Sequence, residues 1–309
     1  MKQRKGKRDS KSSATVLRRY TAAARSESTR VAYTKDIEKF RRWGGRVPST
    51  PNVVARYLAE HAEISASASL GRMLAAINYA HRQKGVTSPT HSELVRATLM
   101  GIRRTHRRPQ RQAAPLLQRD LRRRVAHSAG LRGVRDRSLL LVGFAGGFRA
   151  SEIVGLNVED VEFVKNGVLI RLRKSKTDQE GKGRLIAIPH GKGAAWSCPV
   201  RTVRSWLRRA GLQSGALYRK VDRNGVVCGE RLSTQVVALV VKELVKKLGK
   251  DPSHYSGHSL RAGFVTSAAA AGMPTWRIRQ QTGHQSEQML MRYIRPMDLF
   301  TDHVLLSVL

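Results

Sequence analysis

Apolar positions along the first third of the chain recur at helical intervals. Tyr33, Ile37 and Phe40 lie along one side of a helix that Ser28 can cap. Thr50-Pro51 opens a second helix running to about His61. Leu70, Leu74 and Ile77 mark a third that ends at Gly85, and Leu94 to Arg104 supplies a fourth. Short Gly/Pro/Ser turns join them, which predicts a compact helical bundle. The period then breaks in THRRPQRQAA, residues 105–114, which is basic and has no apolar rhythm. Beyond it, Arg135 to Phe144 reads as a buried helix. Val158 to Val164, Val168 to Arg173 and Arg184 to Ile188 read as three strands of a small antiparallel sheet, the first two joined by a Lys165-Asn166-Gly167 turn. Helical spacing returns through Val203, Trp206 and Leu207 after Pro199, and through Val237, Val240, Leu244 and Leu248 after Ser233.

This pattern predicts a mainly α protein with a small antiparallel sheet. It divides into a basic tail (1–12), a helical domain (13–108), a linker (109–114) and a second domain (115–309) whose last segment, 298–309, is an apolar-faced helix. Charge changes what such a fold is for. Lys and Arg number 58 against 22 Asp and Glu, a formal net charge of +36. An excess of that size speaks about partners, and nucleic acid is the polyanion it suits. A membrane is not expected, because no apolar run approaches the ~20 residues needed to span a bilayer. Cys198 and Cys228 are the only cysteines, without metal-ligand spacing, so a reduced, cytoplasmic protein is expected.

Candidate chemistry concentrates in SGHSLRAGFVTSAAAAGMPTWRIRQQTGHQSEQMLMRYIR, residues 256–295. His258 and Arg261 are three apart on one helix, which stops at Gly272. Pro274 opens a short second helix ending at Gly283. His284 follows in the turn, and Ser286 can cap a third helix carrying Tyr293 before Pro296 stops it. Upstream, Gly146 and Gly147 break an apolar helix and Arg149 begins the next, with Glu152 three residues on. Two imidazoles, two guanidiniums and a phenol suit attack by tyrosine on a phosphodiester. A phenol titrating near pH ~10 needs help to act as nucleophile, and the phosphate oxygens need fixed cations. The planar fork of Arg can hold two of those oxygens. A proton donor is also required for the leaving oxygen, and Lys174, Lys176 and Lys182 of KSKTDQEGKG compete for that place. His254 and His258 have the spacing of a zinc pair, but Gly257 interrupts the helix and no carboxylate sits as in H-E-x-x-H.

RASEI at Arg149, HSLR at His258–Arg261, TGH ending at His284 and RYIR around Tyr293 resemble the tyrosine recombinase (phage integrase) family. HSLRAG and MRYIRPMD look most like its Cre recombinase branch, although His284 stands where that branch has tryptophan. The resemblance implies a core-binding domain and a catalytic domain clamping duplex DNA. It implies Tyr293 as nucleophile, Arg149 and Arg261 on the phosphate, and Lys176, in SKT, as general acid. His258 then assists proton transfer, His284 bonds the phosphate, and Glu152 holds Arg149 or the His258 region in place. Cleavage through a 3′-phosphotyrosine needs neither metal nor ATP, so no cofactor is expected. The partners implied are DNA with inverted-repeat half-sites and three further copies of the chain, a homotetramer on two sites working through a Holliday junction at the nucleoid. The terminal helix would dock on a neighbouring subunit. A type IB topoisomerase-like enzyme and a catalytically silent DNA-binding factor on the same fold are the alternatives.

Overall fold

The computed structural model describes residues 15–16, 20, 24–106, 112–124, 130–173 and 183–294. The expected basic tail, residues 109–111 of the linker, Lys176 with its rivals Lys174 and Lys182, the Pro296 stop and the segment 298–309 lie outside the described residues. The chain forms two units, Met1–Arg111 and Gln112–Leu309.

In the first unit, α1 (Glu27–Arg42), α2 (Pro51–Glu60), α3 (Ser67–Gln83) and α4 (Glu93–Thr105) surround Phe40, Tyr57, Leu58, Leu70, Ile77 and Val95. The cap of α1 is Ser26 rather than Ser28: the Ser26 hydroxyl accepts the Thr29 amide at 3.3 Å, closing the first turn two residues earlier. Thr50 and Ser92 cap α2 and α4 in the same way. Arg72 of α3 donates twice to buried Asp36 of α1, at 2.8 and 3.1 Å. The buried His81 ring donates to the Ile77 carbonyl through Nδ1 and accepts the Ser49 amide through Nε2, so both its nitrogens are bonded.

The second unit begins with α5 (Gln118–Arg124), α6 (Gly130–Ala145) and α7 (Ala150–Gly155). Strands β1 (Val161–Val164), β2 (Gly167–Leu172) and β3 (Arg184–Pro189) form one antiparallel sheet in sequence order. Val168 faces Ile188 and Ile170 faces Ile186 across the β2–β3 pair. These four side chains are buried, so one sheet face lies on the core. Residues 158–160, expected as strand, form instead a 3₁₀ turn, because the Asp160 carboxylate accepts the Asn157 amide at 2.9 Å and Arg173 Nε at 2.6 Å. Helix α8 (Pro199–Arg209) sets Trp206 in the core, where its indole donates to the Leu217 carbonyl at 2.8 Å. A second hairpin, β4 (Arg219–Val221) with β5 (Val227–Arg231), was not anticipated. Its turn is tied by Asp222, which accepts the Asn224 and Val226 amides. Helices α9 (Thr234–Lys247), α10 (Ser259–Ala270), α11 (Thr275–Thr282) and α12 (Glu287–Ile294) complete the unit. The chain is thus mostly helical with small antiparallel sheets. Among the described residues no helix is long and apolar enough to cross a membrane.

Candidate active site

Each functional side chain stands at a helix end, where backbone geometry rather than a long lever fixes it. Arg149 is the N-cap of α7. Glu152, one turn on and buried, holds it twice: one carboxylate oxygen accepts the Arg149 amide at 2.8 Å and the other accepts Nη1 at 2.6 Å. His258 is the residue before α10, and Arg261 lies within its first turn. Arg261 is fully buried, and its Nη1 donates to the carbonyls of Gly147 (2.8 Å) and Thr282 (2.6 Å). Gly147 turns through φ +58° to aim that carbonyl, and a Cβ there would stand 2.8 Å from the Thr282 methyl. One guanidinium therefore ties together the α6–α7 turn, α10 and the end of α11.

Arg261 is not satisfied by these bonds. Its Nε and Nη2 are buried and have no hydrogen-bond partner among the described residues. Unpaired buried donors on a cation are costly, so such an arrangement is expected where an anion will sit. Burial, with the nearby positive charge of Arg149, lowers the Arg261 pKa to about 10, so it stays charged at neutral pH.

The phenol oxygen of Tyr293, on α12, is 2.5 Å from His258 Nε2. The Tyr293 backbone is steadied by the Thr266 hydroxyl, which donates to its carbonyl at 3.2 Å. Burial first, then Arg261 and Arg149, hold the His258 imidazole below its ordinary pKa, so at neutral pH its ring can accept a proton. His284 is buried beside the same ring, its centroid 5.7 Å from that of Tyr293. Gly283, at φ +67°, ends α11 and swings the chain so that His284 points inward. Thr282 Oγ bonds both the Ile278 carbonyl (2.6 Å) and His284 Nδ1 (2.7 Å). A carbonyl only accepts, so the single hydroxyl proton goes to Ile278 and His284 must donate from Nδ1. Burial and the surrounding cations push the His284 pKa down to about 3. Its other nitrogen, Nε2, then carries a lone pair rather than a proton at neutral pH.

Arg149, Glu152, His258, Arg261, His284 and Tyr293 are brought to one place; Lys176 lies outside the described residues. Three contributors were not singled out by sequence: Thr282, the Gly147 carbonyl and Arg184. The first two act through backbone or local bonds that leave no pattern. Arg184 did leave a signal, because it is in phase with buried Ile186 and Ile188 on β3. Among the described residues no group of three or more His, Cys, Asp or Glu side chains is placed to hold a metal ion.

Residues 116–299 match the phage integrase family. An integrase/recombinase xerD homolog of Selenomonas ruminantium is 35% identical over 292 residues, covering 91% of this chain and 85% of that protein. The recombinase cre of Escherichia phage P1 is 25% identical over 279 residues, covering 84% and 78%. In fold, a lambda integrase dimer bound to a COC′ core site superposes with a TM-score of 0.62 at 19% identity, covering 91% of this chain and 94% of that one. The chain belongs to the phage integrase, or tyrosine recombinase, family. It is accordingly a site-specific DNA recombinase, an enzyme that cleaves and rejoins DNA.

Proposed function

We propose that Tyr293 attacks a backbone phosphate of duplex DNA, with the phenol proton passing to His258 Nε2. The Tyr293 Oη–P bond forms as the P–O5′ bond breaks, leaving a 3′-phosphotyrosine, and Lys176 gives the departing 5′-oxygen its proton. Arg149 and Arg261 hold the phosphate oxygens as charge develops, and Glu152 aligns Arg149. His284 donates to the phosphate once protonated. The observation that carries this reading is the 2.5 Å Tyr293–His258 bond beside a buried guanidinium with two unused donors. An intact set of this kind argues for an enzyme and against a silent DNA-binding factor.

The covalent link conserves the bond energy, so the reaction needs no ATP and no metal. Residues 13–108 are proposed as the core-binding domain that closes a clamp on DNA with the catalytic domain, 115–309. The assembly proposed is a homotetramer on two sites with inverted-repeat half-sites. It exchanges strands through a Holliday junction, with segment 298–309 docked on the neighbour, at the nucleoid in the cytoplasm. Identity of 35% to the xerD homolog against 25% to cre favours a Xer-type branch over the Cre branch. A nicked suicide substrate tests the chemistry. The wild type should form an SDS-resistant adduct, and Tyr293→Phe should bind DNA but form none. An adduct of normal yield from the Phe variant overturns the assignment.

A further inference from the structure

Arg184 opens β3, in phase with Ile186 and Ile188, so its side chain runs under the sheet toward the site rather than into solvent. Both terminal nitrogens are buried, and neither has a hydrogen-bond partner among the described residues. The guanidinium lies against the turn before His284: a Cβ added to Gly283 would stand 2.2 Å from Nη1 and 2.9 Å from Cζ. Among the described residues no carboxylate is bonded to it: Glu152 is near enough for its charge to be felt, but both its oxygens are bonded to Arg149. Its charge is felt in the site, where it helps depress both Arg261 and His284.

We propose that Arg184 is a third guanidinium that binds the scissile phosphate, alongside Arg149 and Arg261. Charge supplies the reason. Attack by a phenolate on a phosphodiester monoanion passes through a five-coordinate arrangement carrying two negative charges. Arg149 and Arg261 against Glu152 leave a single positive charge, and Arg184 brings the described groups to two. Like Arg261, Arg184 keeps a planar fork of buried, unmade donors, which an oxyanion would satisfy bidentately. The same two guanidiniums are thus the orphaned ones, and both face one anion.

The inference rests on the reading of this site as one for a phosphodiester, and its test keeps the two apart. The full chain is melted across a series of inorganic phosphate concentrations, with chloride holding ionic strength constant. Phosphate should raise Tm of the wild type. Arg184→Met should weaken the apparent phosphate affinity by about tenfold or more, and Arg184→Lys, which keeps the charge but loses the fork, by about threefold. Arg201→Met, at an exposed position of α8, should change nothing. Wild-type affinity in Arg184→Met overturns the proposal; if that variant does not fold, wild-type affinity in Arg184→Lys does so. Adduct formation at Tyr293 is measured in parallel, on a normal phosphate and on a neutral methylphosphonate. The Arg184→Met defect should shrink on the methylphosphonate, where one charge has been removed, and an equal defect on both substrates counts against a phosphate contact. Phosphate affinity that depends on Arg184 without any wild-type adduct would sink the catalytic reading and leave the anion site standing.

Discussion

His258 Nε2 and the Tyr293 phenol oxygen stand 2.5 Å apart, joining the residue that starts α10 to the helix that carries the nucleophile. The pair is ready for proton transfer only while the imidazole is neutral. Its pKa is held below 6.5 by burial and by Arg261 and Arg149. The rate of adduct formation should therefore stay level as pH falls through 6.5, and decline only at lower pH as His258 protonates. His258→Asn should slow cleavage by about 10²–10⁴ with DNA affinity unchanged. Single-turnover rates on a suicide substrate between pH 5 and 8 check both points. A wild-type rate that already halves near the ordinary histidine value would contradict the depressed pKa.

Among the described residues Glu152 is the one carboxylate set among three guanidiniums, and its side chain is almost wholly buried. Removing its charge leaves Arg149 unpaired and the cations repelling one another. Glu152→Gln should cost about 3 kcal/mol in denaturant unfolding. Added phosphate should recover part of that loss, because an anion then replaces the missing charge. A variant as stable as the wild type would show that Glu152 does not hold the cluster together.

His284 sets a pH dependence of opposite origin to that of a salt-bridged carboxylate, but of the same sign. Its folded pKa is about 3 against 6.5 unfolded, so the unfolded chain binds the extra proton. The contribution is complete above pH 6.5 and is lost as pH falls from there toward the folded value. His284→Gln should flatten stability over that window. Anion binding should raise the His284 pKa, since a phosphate reverses the local field. Titration calorimetry of phosphate in buffers of different ionisation enthalpy should then show proton uptake in the wild type and less in His284→Gln.

The helices of both units were legible because their caps and apolar rows are local properties: Thr50-Pro51 and Gly283 act within a turn of themselves. The misplaced start of α1 is of the same kind, with Ser26 and Ser28 offering equivalent hydroxyls and only the 3.3 Å bond to Thr29 deciding between them. Asp160 was harder, since its preference for capping Asn157 and pairing Arg173 depends on a residue a whole hairpin away. In the site, Arg149, His258, Arg261, His284 and Tyr293 could be named because RASEI, HSLR, TGH and RYIR resemble the motifs of the tyrosine recombinase family. Arg184 left only its phase with Ile186 and Ile188, which points it inward without saying toward what; the fold is what sets it against Gly283, beside His284. The tautomer of His284 depended on a shared hydroxyl, Thr282, which no spacing announces.

The charge of the whole chain makes one further prediction, separate from the site. A net charge of +36 is far more than a single phosphate needs, so most of it must act at a distance or along a backbone. Each DNA phosphate that is neutralised releases condensed counterions and adds about −0.9 to the slope of log affinity against log salt. Contacts of this kind carry no sequence information, so random duplex DNA should show a steep slope as well as any specific site. The site variants should behave differently. Arg261→Ala removes a buried cation that meets one phosphate at most, so it should change the slope by no more than about one while abolishing the adduct. Filter binding or fluorescence anisotropy across a salt series, run beside the adduct assay, measures both. A slope near zero on duplex DNA would mean that the charge serves a different partner.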